Sequence, residues 1–305
     1  MTYRSGLVSV VGRPNTGKST LVNALTGEKV AITSSRPQTT RHVIRGVVHR
    51  PSGQLVLVDT PGLHKPRTLL GQRLNDEVRH ALTDVDVVAV TLPANESIGP
   101  GDRRVTAEAA AMKRSPKVAV VTKTDLVSPN ELLVHLAAVA ALAEQNGFEW
   151  DEVIPISART GDHVELLTDL LIGLLPEGEP FFPADQVTDE PEDVRIAELI
   201  REAALEGVRD ELPHSIAVVV DELRPREDRP ADRPLTDIHA TLYIERTSQK
   251  GIIIGHQGAR LRDVGQVARR DIEALLGVPV YLDLHVKVAK DWQRDPKQLR
   301  KLGFD

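Results

Sequence analysis

The chain contains no cysteine, few aromatic residues and no long apolar run. Without cysteine among its 305 residues, disulfides, thiol chemistry and cysteine-based zinc sites are excluded. No uninterrupted apolar stretch approaches the roughly 18 residues of a transmembrane helix. The N-terminal residues lead directly into an apolar run at 7–11. We therefore expect no signal peptide and a cytoplasmic protein.

The chain also lacks an overall positive charge. Its formal net charge is −6, which by itself argues weakly against a nucleic-acid partner. Residues 246–301 differ in charge from the chain as a whole, because they hold 12 basic and 6 acidic side chains. This concentration of positive charge suits a phosphate-backbone partner. A solvated charged surface is the alternative interpretation of the same count.

A complete phosphate-binding motif, G-x-x-x-x-G-K-[ST], occupies residues 12–19. The motif follows the apolar run 7–11 and precedes a helix-like stretch at 19–25, which is the context that it requires. Its glycines allow a tight turn whose N–H groups point at phosphate oxygens. Lys18 reaches the β- and γ-phosphates, and Ser19 is a Mg²⁺ ligand. The predicted phosphate-binding residues are Gly12, Arg13, Pro14, Asn15, Thr16, Gly17, Lys18, Ser19 and Thr20.

Two later segments predict that the nucleotide is GTP. Thr122-Lys123-Thr124-Asp125 follows an apolar run and matches the [NT]-K-x-D pattern, whose aspartate accepts hydrogen bonds from guanine N1–H and the exocyclic amine. Adenine offers no such donor pair, so Asp125 selects GTP, and an ATP-dependent kinase is disfavoured. Ser157-Ala158 follows the next apolar run, where a backbone N–H can reach guanine O6. Ligands of open α/β sheets bind at such strand ends.

The D-x-x-G segment Asp59-Thr60-Pro61-Gly62 also ends an apolar strand. We expect Asp59 to hold Mg²⁺ through water, and the Gly62 N–H to sense the γ-phosphate. Leu63 completes the predicted nucleotide-binding set. Many GTPases have at that position a glutamine that orients the attacking water. Leucine cannot do so, and slow intrinsic hydrolysis is expected. His64 is adjacent, but a lone histidine in such a loop is more often solvated.

The segment 34–42 is poor in apolar residues and is predicted to be a nucleotide-sensing switch. One threonine in such a segment coordinates Mg²⁺ only when the γ-phosphate is present. The spacing to the following arginine favours Thr40, with Thr39 as the alternative. The predicted catalytic residues are therefore Lys18, Thr40 and Gly62, and the predicted Mg²⁺ ligands are Ser19, Thr40 and Asp59.

These motifs resemble the Era family of translation-factor-class P-loop GTPases. The resemblance rests on the runs at 12–25, 37–42 and 59–64, and it extends over nearly the whole chain. Asn15 is similar to the asparagine of GTPases that bind K⁺ beside the phosphates; turn formation is the alternative interpretation. Thr122 stands where Era-like proteins more often have asparagine, so a contact to the phosphate-binding loop is lost or made by a hydroxyl.

The pattern of apolar runs predicts an α/β P-loop GTPase domain over residues 1–176. Its sheet is expected to be mostly parallel, with one antiparallel hairpin at the Pro51-Ser52-Gly53 turn. The acidic, proline-rich stretch 177–194 is typical of a linker. The predicted strands cover residues 7–11, 43–49, 55–58, 85–92, 117–121 and 153–156.

Residues 195–305 have the order α-β-β-α-α-β and resemble an α+β type II KH domain. The G-x-x-G sequence at 255–258 would join two helices and let a nucleic-acid backbone approach closely. A plain helix–helix turn is the alternative for a lone G-x-x-G. The predicted RNA-binding residues are Ile253, Ile254, Gly255, His256, Gln257, Gly258 and Arg260.

The resemblance implies a GTP/GDP switch that uses Mg²⁺, with K⁺ as a further cation. It implies as partners the small-subunit ribosomal RNA near its 3′ end and the small ribosomal subunit during assembly. It also implies a monomer, with peripheral association at the inner membrane face. The alternative is a nucleotide-gated regulator that acts on a protein or membrane partner through its C-terminal domain.

Overall fold

The computed structural model describes residues 2–34, 39–62, 66, 68–83, 85–208, 212–227, 229–230 and 233–304. The chain forms two compact units. The first comprises residues 1–66 and 74–189, and the second comprises 67–73 and 190–305. The boundary at 189 falls inside the predicted linker. Among the described residues, no helix has the length and apolarity needed to cross a bilayer.

The first unit is built on a six-stranded sheet with the order β2-β3-β1-β4-β5-β6. Strand β2 is antiparallel to β3, and the other neighbours are parallel. The predicted mostly parallel sheet with one hairpin is confirmed. The strands are β1 (Arg4–Val11), β2 (Ile44–Arg50), β3 (Gly53–Asp59), β4 (Val87–Pro93), β5 (Lys117–Thr122) and β6 (Glu152–Pro155).

Helices cover both faces of this sheet, so β3, β4 and β5 are buried along their whole lengths and form continuous apolar runs. Leu21 and Leu167 pack on one face, and Val105 and Leu142 pack on the other. The helices of the GTPase region are α1 (Lys18–Thr26), α2 (Leu69–Thr83), α3 (Pro100–Ala110), α4 (Pro129–Gln145) and α5 (Val164–Leu174).

Residues 177–189 are fixed against the first unit. The buried side chain of Gln54 accepts hydrogen bonds from the N–H groups of Phe181 and Phe182, at 2.7 and 3.0 Å, and donates to the Phe182 carbonyl. Further along, Val47 N donates to Val187 O at 2.8 Å. The segment thus extends the sheet beyond β2, which covers an otherwise open strand edge.

The second unit has a three-stranded sheet with the order β7-β8-β9. Strands β7 (Ala217–Pro225) and β8 (Thr236–Ile244) are antiparallel, and β8 and β9 (Val280–Val288) are parallel. This order agrees with the predicted α+β arrangement. The helices are α6 (Glu192–Leu205), α7 (Leu212–Ser215), α8 (Thr247–Ile254), α9 (Ala259–Leu276) and α10 (Pro296–Lys301).

The C-terminal residues complete the core of this unit. Trp292 is fully buried, its Nε1 donates to the Ser215 carbonyl at 3.0 Å, and its ring stacks on Phe304 with centroids 5.6 Å apart. Burial of a large aromatic side chain with its N–H satisfied is strongly stabilising. The chain after β9 is therefore an integral part of the unit.

Candidate functional site

The phosphate-binding loop joins β1 to α1, at the carboxyl end of the central strand. Gly17 and Asn15 have φ angles of +95° and +65°, a region that glycine adopts readily and asparagine tolerates. A Cβ on Gly12 would lie 2.1 Å from the Thr91 hydroxyl oxygen. Side chains are thus excluded where the loop packs against β4, and the backbone can curl around an anion.

Lys18 is buried inside the loop. Its Nζ donates to the carbonyls of Arg13, at 2.9 Å, and Gly12, at 3.2 Å. The pKa of Lys18 is lowered to about 8, mainly because the group is buried; Asp59 opposes this shift, and the nearby Arg13 adds to it. A bound triphosphate would place negative charge beside this ammonium group, so binding would favour the protonated form of Lys18.

Three oxygen donors meet beside Lys18. The Ser19 hydroxyl lies 2.8 Å from both the Thr40 hydroxyl and the Asp59 carboxylate. Burial raises the pKa of Asp59 to about 6, and its Oδ1 atom is buried without a hydrogen-bond partner. A hard, all-oxygen set with an unsatisfied carboxylate oxygen fits Mg²⁺. The alternative threonine, Thr39, has its hydroxyl 2.9 Å from Ser34 instead.

The D-x-x-G segment approaches the loop from the end of β3. A Cβ on Gly62 would lie 2.8 Å from Pro14 N, so only glycine allows this approach. Thr60 is fully buried and donates to the Val10 carbonyl at 2.9 Å, and Pro61 is buried beside it. One cleft is lined by the phosphate-binding loop, Thr20, residues 32–34, residues 39–40 and Gly62. Leu63 and His64 lie outside the described residues.

The predicted base-recognition residues follow β5 and β6. The Thr122 hydroxyl donates to the Thr16 carbonyl at 2.6 Å, so a hydroxyl makes the contact that the sequence left open. Lys123 donates to the Asn15 carbonyl at 2.8 Å. Ser157 donates to one carboxylate oxygen of the exposed Asp125 at 2.7 Å. Thr124 and Ala158 flank these side chains in the same two loops. The carboxylate is thereby oriented while its second oxygen remains available to a base.

In the second unit, the G-x-x-G loop joins α8 to α9. Gly255, Gln257 and Gly258 have φ angles of +73°, +49° and +77°. His256 and Gln257 are both exposed at the tip. The loop therefore presents two polar side chains and a glycine-rich backbone to solvent, as close approach of a nucleic-acid backbone requires.

Among the predicted RNA-binding residues, Ile253 needs correction, and Arg260 has partners within the unit. Ile253 is fully buried, so its side chain belongs to the core, and it is the neighbouring Ile252 that is 53 % exposed. The guanidinium of Arg260 donates to the Glu206 carbonyl at 2.6 Å and to the Ala204 carbonyl at 3.3 Å, at the end of α6. Arg260 thus stabilises a helix end. Ile254, at the end of α8, is partly exposed.

A groove between α9 and β9 continues from Gly258, with a volume of about 340 Å³. Its polar wall is formed by Arg262, Gln266 and Arg269 of α9, and Tyr281 and Leu284 are among the β9 residues opposite. Sequence reasoning missed this wall. The signal was present, because residues spaced i, i+4 and i+7 on a basic helix share one face.

Comparisons with known proteins agree with both halves of this geometry. A family model described as a 50S ribosome-binding GTPase matches residues 7–123, and a KH domain model matches residues 211–293. GTPase Era of a Nocardioides species is 66 % identical over 302 residues, covering 99 % of this chain and 96 % of that protein. GTPase Era of Streptomyces coelicolor is also 66 % identical, covering 99 % and 95 %.

This chain belongs to the Era family of GTPases. It is similar to a crystal structure of Era in complex with MgGDPNP and nucleotides 1506–1542 of 16S ribosomal RNA. The TM-score is 0.93 at 36 % identity, with 99 % of each chain covered. It is also similar to an Aquifex aeolicus Era variant bound to GDP·AlF4⁻, with a TM-score of 0.91, 35 % identity and the same coverage. The predicted family and fold class are confirmed.

Within this Era-family site, sequence reasoning missed the partners of Arg13. Its guanidinium pairs with Glu96, at 2.7 Å, and the buried Asp102, at 2.9 Å. Glu96 also lies 3.8 Å from Lys123 Nζ. These contacts tie the phosphate-binding loop to α3 and the base-recognition loop. One feature of the sequence indicates that Glu96 belongs to the site: it follows closely after the end of a parallel strand, where open α/β sheets bind their ligands.

Arg13→Ala is expected to weaken GTP and GDP binding by the same factor, about fivefold. The removed ion pairs position the loop without touching the γ-phosphate, and the partial exposure of Arg13 and Glu96 limits the contribution to roughly 1 kcal/mol. Titration of the variant with fluorescent GTP and GDP measures the effect, with the exposed Arg114→Ala as the matched control. A loss confined to GTP would instead place Arg13 at the γ-phosphate.

Proposed function

We propose that this Era-family GTPase is a GTP-driven switch that binds small-subunit ribosomal RNA near its 3′ end and assists small-subunit assembly. The observation that carries this proposal is the joint presence, in one chain, of a guanine- and triphosphate-specific site and a G-x-x-G loop beside a basic groove. The similar Era structure holds a GTP analogue and a 16S RNA fragment.

In the nucleotide cycle, Lys18 binds the β- and γ-phosphates and Thr40 and Gly62 respond to the γ-phosphate. Ser19, Thr40 and Asp59 would hold Mg²⁺, which neutralises charge on the phosphates as hydrolysis proceeds. Loss of the γ-phosphate removes the partner that holds the segments around Thr40 and Gly62, so their order depends on the bound nucleotide. The nucleotide state thereby controls RNA engagement.

A K⁺ ion bound beside Asn15 would supply positive charge that no described arginine brings to the phosphate cleft. GTP hydrolysis is then expected to be faster in KCl than in NaCl at equal ionic strength, and Asn15→Ala is expected to abolish the difference. Single-turnover phosphate release measures both rates at saturating nucleotide. Equal rates of the unchanged protein in the two salts would remove K⁺ from the proposal and leave the GTPase activity untouched.

Replacing His256 and Gln257 together by aspartate is expected to weaken RNA binding at least tenfold, about 1.4 kcal/mol. Both side chains are exposed at the loop tip, where a carboxylate would face phosphates at short range with incomplete screening. Binding of a single-stranded RNA with the 3′-terminal small-subunit sequence measures the effect.

Two properties of the double variant serve as internal controls for that measurement. GTP affinity and thermal stability should be unchanged, because both residues are exposed and belong to the second unit, whereas the nucleotide-binding motifs belong to the first. RNA affinity within error of the unchanged protein would mean that the loop is only a helix–helix turn. A salt titration adds a further test, since RNA binding must weaken steeply with salt. A protein-directed regulator, the alternative function, need not behave in this way.

We propose that the protein acts in the cytoplasm, where a ribosomal RNA partner would be found, and that it acts there as a monomer. Peripheral association with the inner membrane face stays a prediction from the family resemblance. Fractionation of cell lysate on a sucrose gradient would test the ribosomal location. Co-sedimentation with small-subunit particles in the presence of a non-hydrolysable GTP analogue is the expected result.

A further inference from the structure

The helix α4 of the first unit is apolar around its whole circumference. In the sequence from Leu132 to Ala143, every residue except His135 is leucine, valine or alanine, and His135 is buried. A helix of this composition is normally enclosed by the protein. Only one side of α4 packs against the sheet, and this side includes Val139 and Leu142. The opposite side faces solvent.

The solvent side of α4 carries an apolar strip, which we call the α4 face. It consists of Leu133, Val134, Ala137, Ala138 and Ala141, whose spacing places them on one side of the helix. Leu133 is 65 % exposed and Val134 is 73 % exposed. High helix propensity explains exposed alanines, but it does not explain an exposed valine, which is a poorer helix former and leaves apolar area in water. Such a strip is typical of an interaction surface.

The segment that carries the α4 face is acidic. Residues 124–158, which contain α4 and β6, hold six acidic side chains and no lysine or arginine. Two of the six, Glu131 and Glu144, lie near the two ends of α4 and are exposed. From the neighbouring α3, Arg103 donates to Gln145 at 2.7 Å, at the C-terminal end of α4. An occupant of the α4 face therefore meets an apolar strip with a carboxylate near each end.

The charge of this segment decides which occupant fits. RNA and anionic lipid would be repelled by carboxylates at short range, where screening is incomplete. A second copy of the chain would bring an equally acidic segment against the first. A basic protein segment is attracted instead, and the small side chains of Ala137, Ala138 and Ala141 allow another helix to approach α4 closely.

We propose that the α4 face docks a basic amphipathic helix of a protein partner. The apolar side of that helix would cover Leu133 and Val134, and lysines or arginines at its edges would pair with Glu131 and Glu144. These two glutamates are 13 positions apart, or about 20 Å along α4, so the partner helix needs about four turns. The surface belongs to the first unit, and the inference does not depend on RNA binding by the second.

The first test uses as probe a fluorescent synthetic helix of leucine, alanine and lysine, with leucines along one side and lysines at the edges. Anisotropy titration should show that the full chain binds it. Leu133→Gln combined with Val134→Gln should weaken binding about tenfold or more, because glutamine keeps the helix but removes the apolar anchors. The GTP affinity of this double variant should be unchanged, which verifies that the unit is folded.

The matched control is Leu166→Gln, which removes a leucine that is 55 % exposed on α5, the helix on the other face of the sheet. It should leave affinity for the probe unchanged. A probe with every lysine replaced by glutamate should not bind, and Glu131→Gln with Glu144→Gln should weaken binding of the lysine probe. The proposal is overturned if the lysine probe does not bind the unchanged chain, or binds the double variant of Leu133 and Val134 equally well.

Photo-crosslinking in cells, with benzoylphenylalanine in place of the exposed Ala138, identifies the natural occupant. Sequencing of the crosslinked segment should give part of another protein that is rich in lysine and arginine and has apolar residues three and four positions apart. A protein segment without this pattern overturns the proposed occupant. So does a crosslink to RNA, to lipid or to a second copy of this chain, and so does the absence of any crosslink.

Discussion

Replacing Lys18 by alanine is expected to abolish GTP binding at working concentrations. The lysine is the buried cation of the phosphate-binding loop, held by two loop carbonyls that leave it ready to meet the triphosphate. Charge-assisted hydrogen bonds to two phosphates contribute about 4 kcal/mol, so the dissociation constant should rise on the order of a thousandfold. Equilibrium titration with fluorescent GTP measures the change.

The matched control is Lys113→Ala, which removes the same charge from an exposed position of the first unit and should leave GTP affinity unchanged. The Lys18 variant should remain folded, because burial disfavours the charged form of Lys18 in the free protein and alanine removes that cost. Without nucleotide, RNA affinity of the variant should equal that of the nucleotide-free unchanged protein. GTP affinity within tenfold of the original would contradict the role assigned to Lys18.

Asp125→Asn is expected to change the base that the site accepts. Asp125 accepts a hydrogen bond from Ser157 through one oxygen, and asparagine can keep that bond with its amide oxygen. Its NH₂ group then faces the base, where it meets the donors of guanine unfavourably and the 2-carbonyl of xanthine favourably. GTP affinity should fall about a hundredfold, or 2.7 kcal/mol, and affinity for xanthosine triphosphate should rise.

Competition between the two nucleotides in one titration provides the measurement. Asp169→Asn, an exposed carboxylate on α5, serves as the matched control and should retain the original preference for GTP. Unchanged selectivity in the Asp125 variant would mean that another group reads the base. Because the control and the variant carry the same change in net charge, a general electrostatic effect would appear in both.

The nucleotide chemistry could be predicted from the sequence because phosphate and guanine recognition need particular residue types at short, fixed spacings. Lys18 and Ser19 are adjacent within a contiguous loop, and Asp125 belongs to a four-residue pattern. The alternation of apolar runs with helical stretches likewise predicted the parallel sheet, since strands covered on both faces must be apolar throughout. The confirmed fold class follows from these local constraints.

Other features depend on contacts between residues that are distant along the chain. Arg13 is separated from Asp102 by 89 positions, and nothing local marks them as a pair. Thr39 and Thr40 are adjacent residues of the same type. Only the folded structure shows that the Thr40 hydroxyl lies beside Ser19 and Asp59. Such contacts depend on how the side chains are oriented within the folded unit.

By itself, the sequence determined that this chain binds a guanine nucleotide and resembles the Era family, because those properties reside in contiguous motifs. Only the tertiary structure decided which side chains are accessible. It buried Ile253, directed Arg260 to the end of α6, and placed Arg262, Gln266 and Arg269 along one wall of the α9–β9 groove. Packing across the whole unit determines which side chains are accessible. A sequence pattern indicates only which residues share one face of a helix or strand.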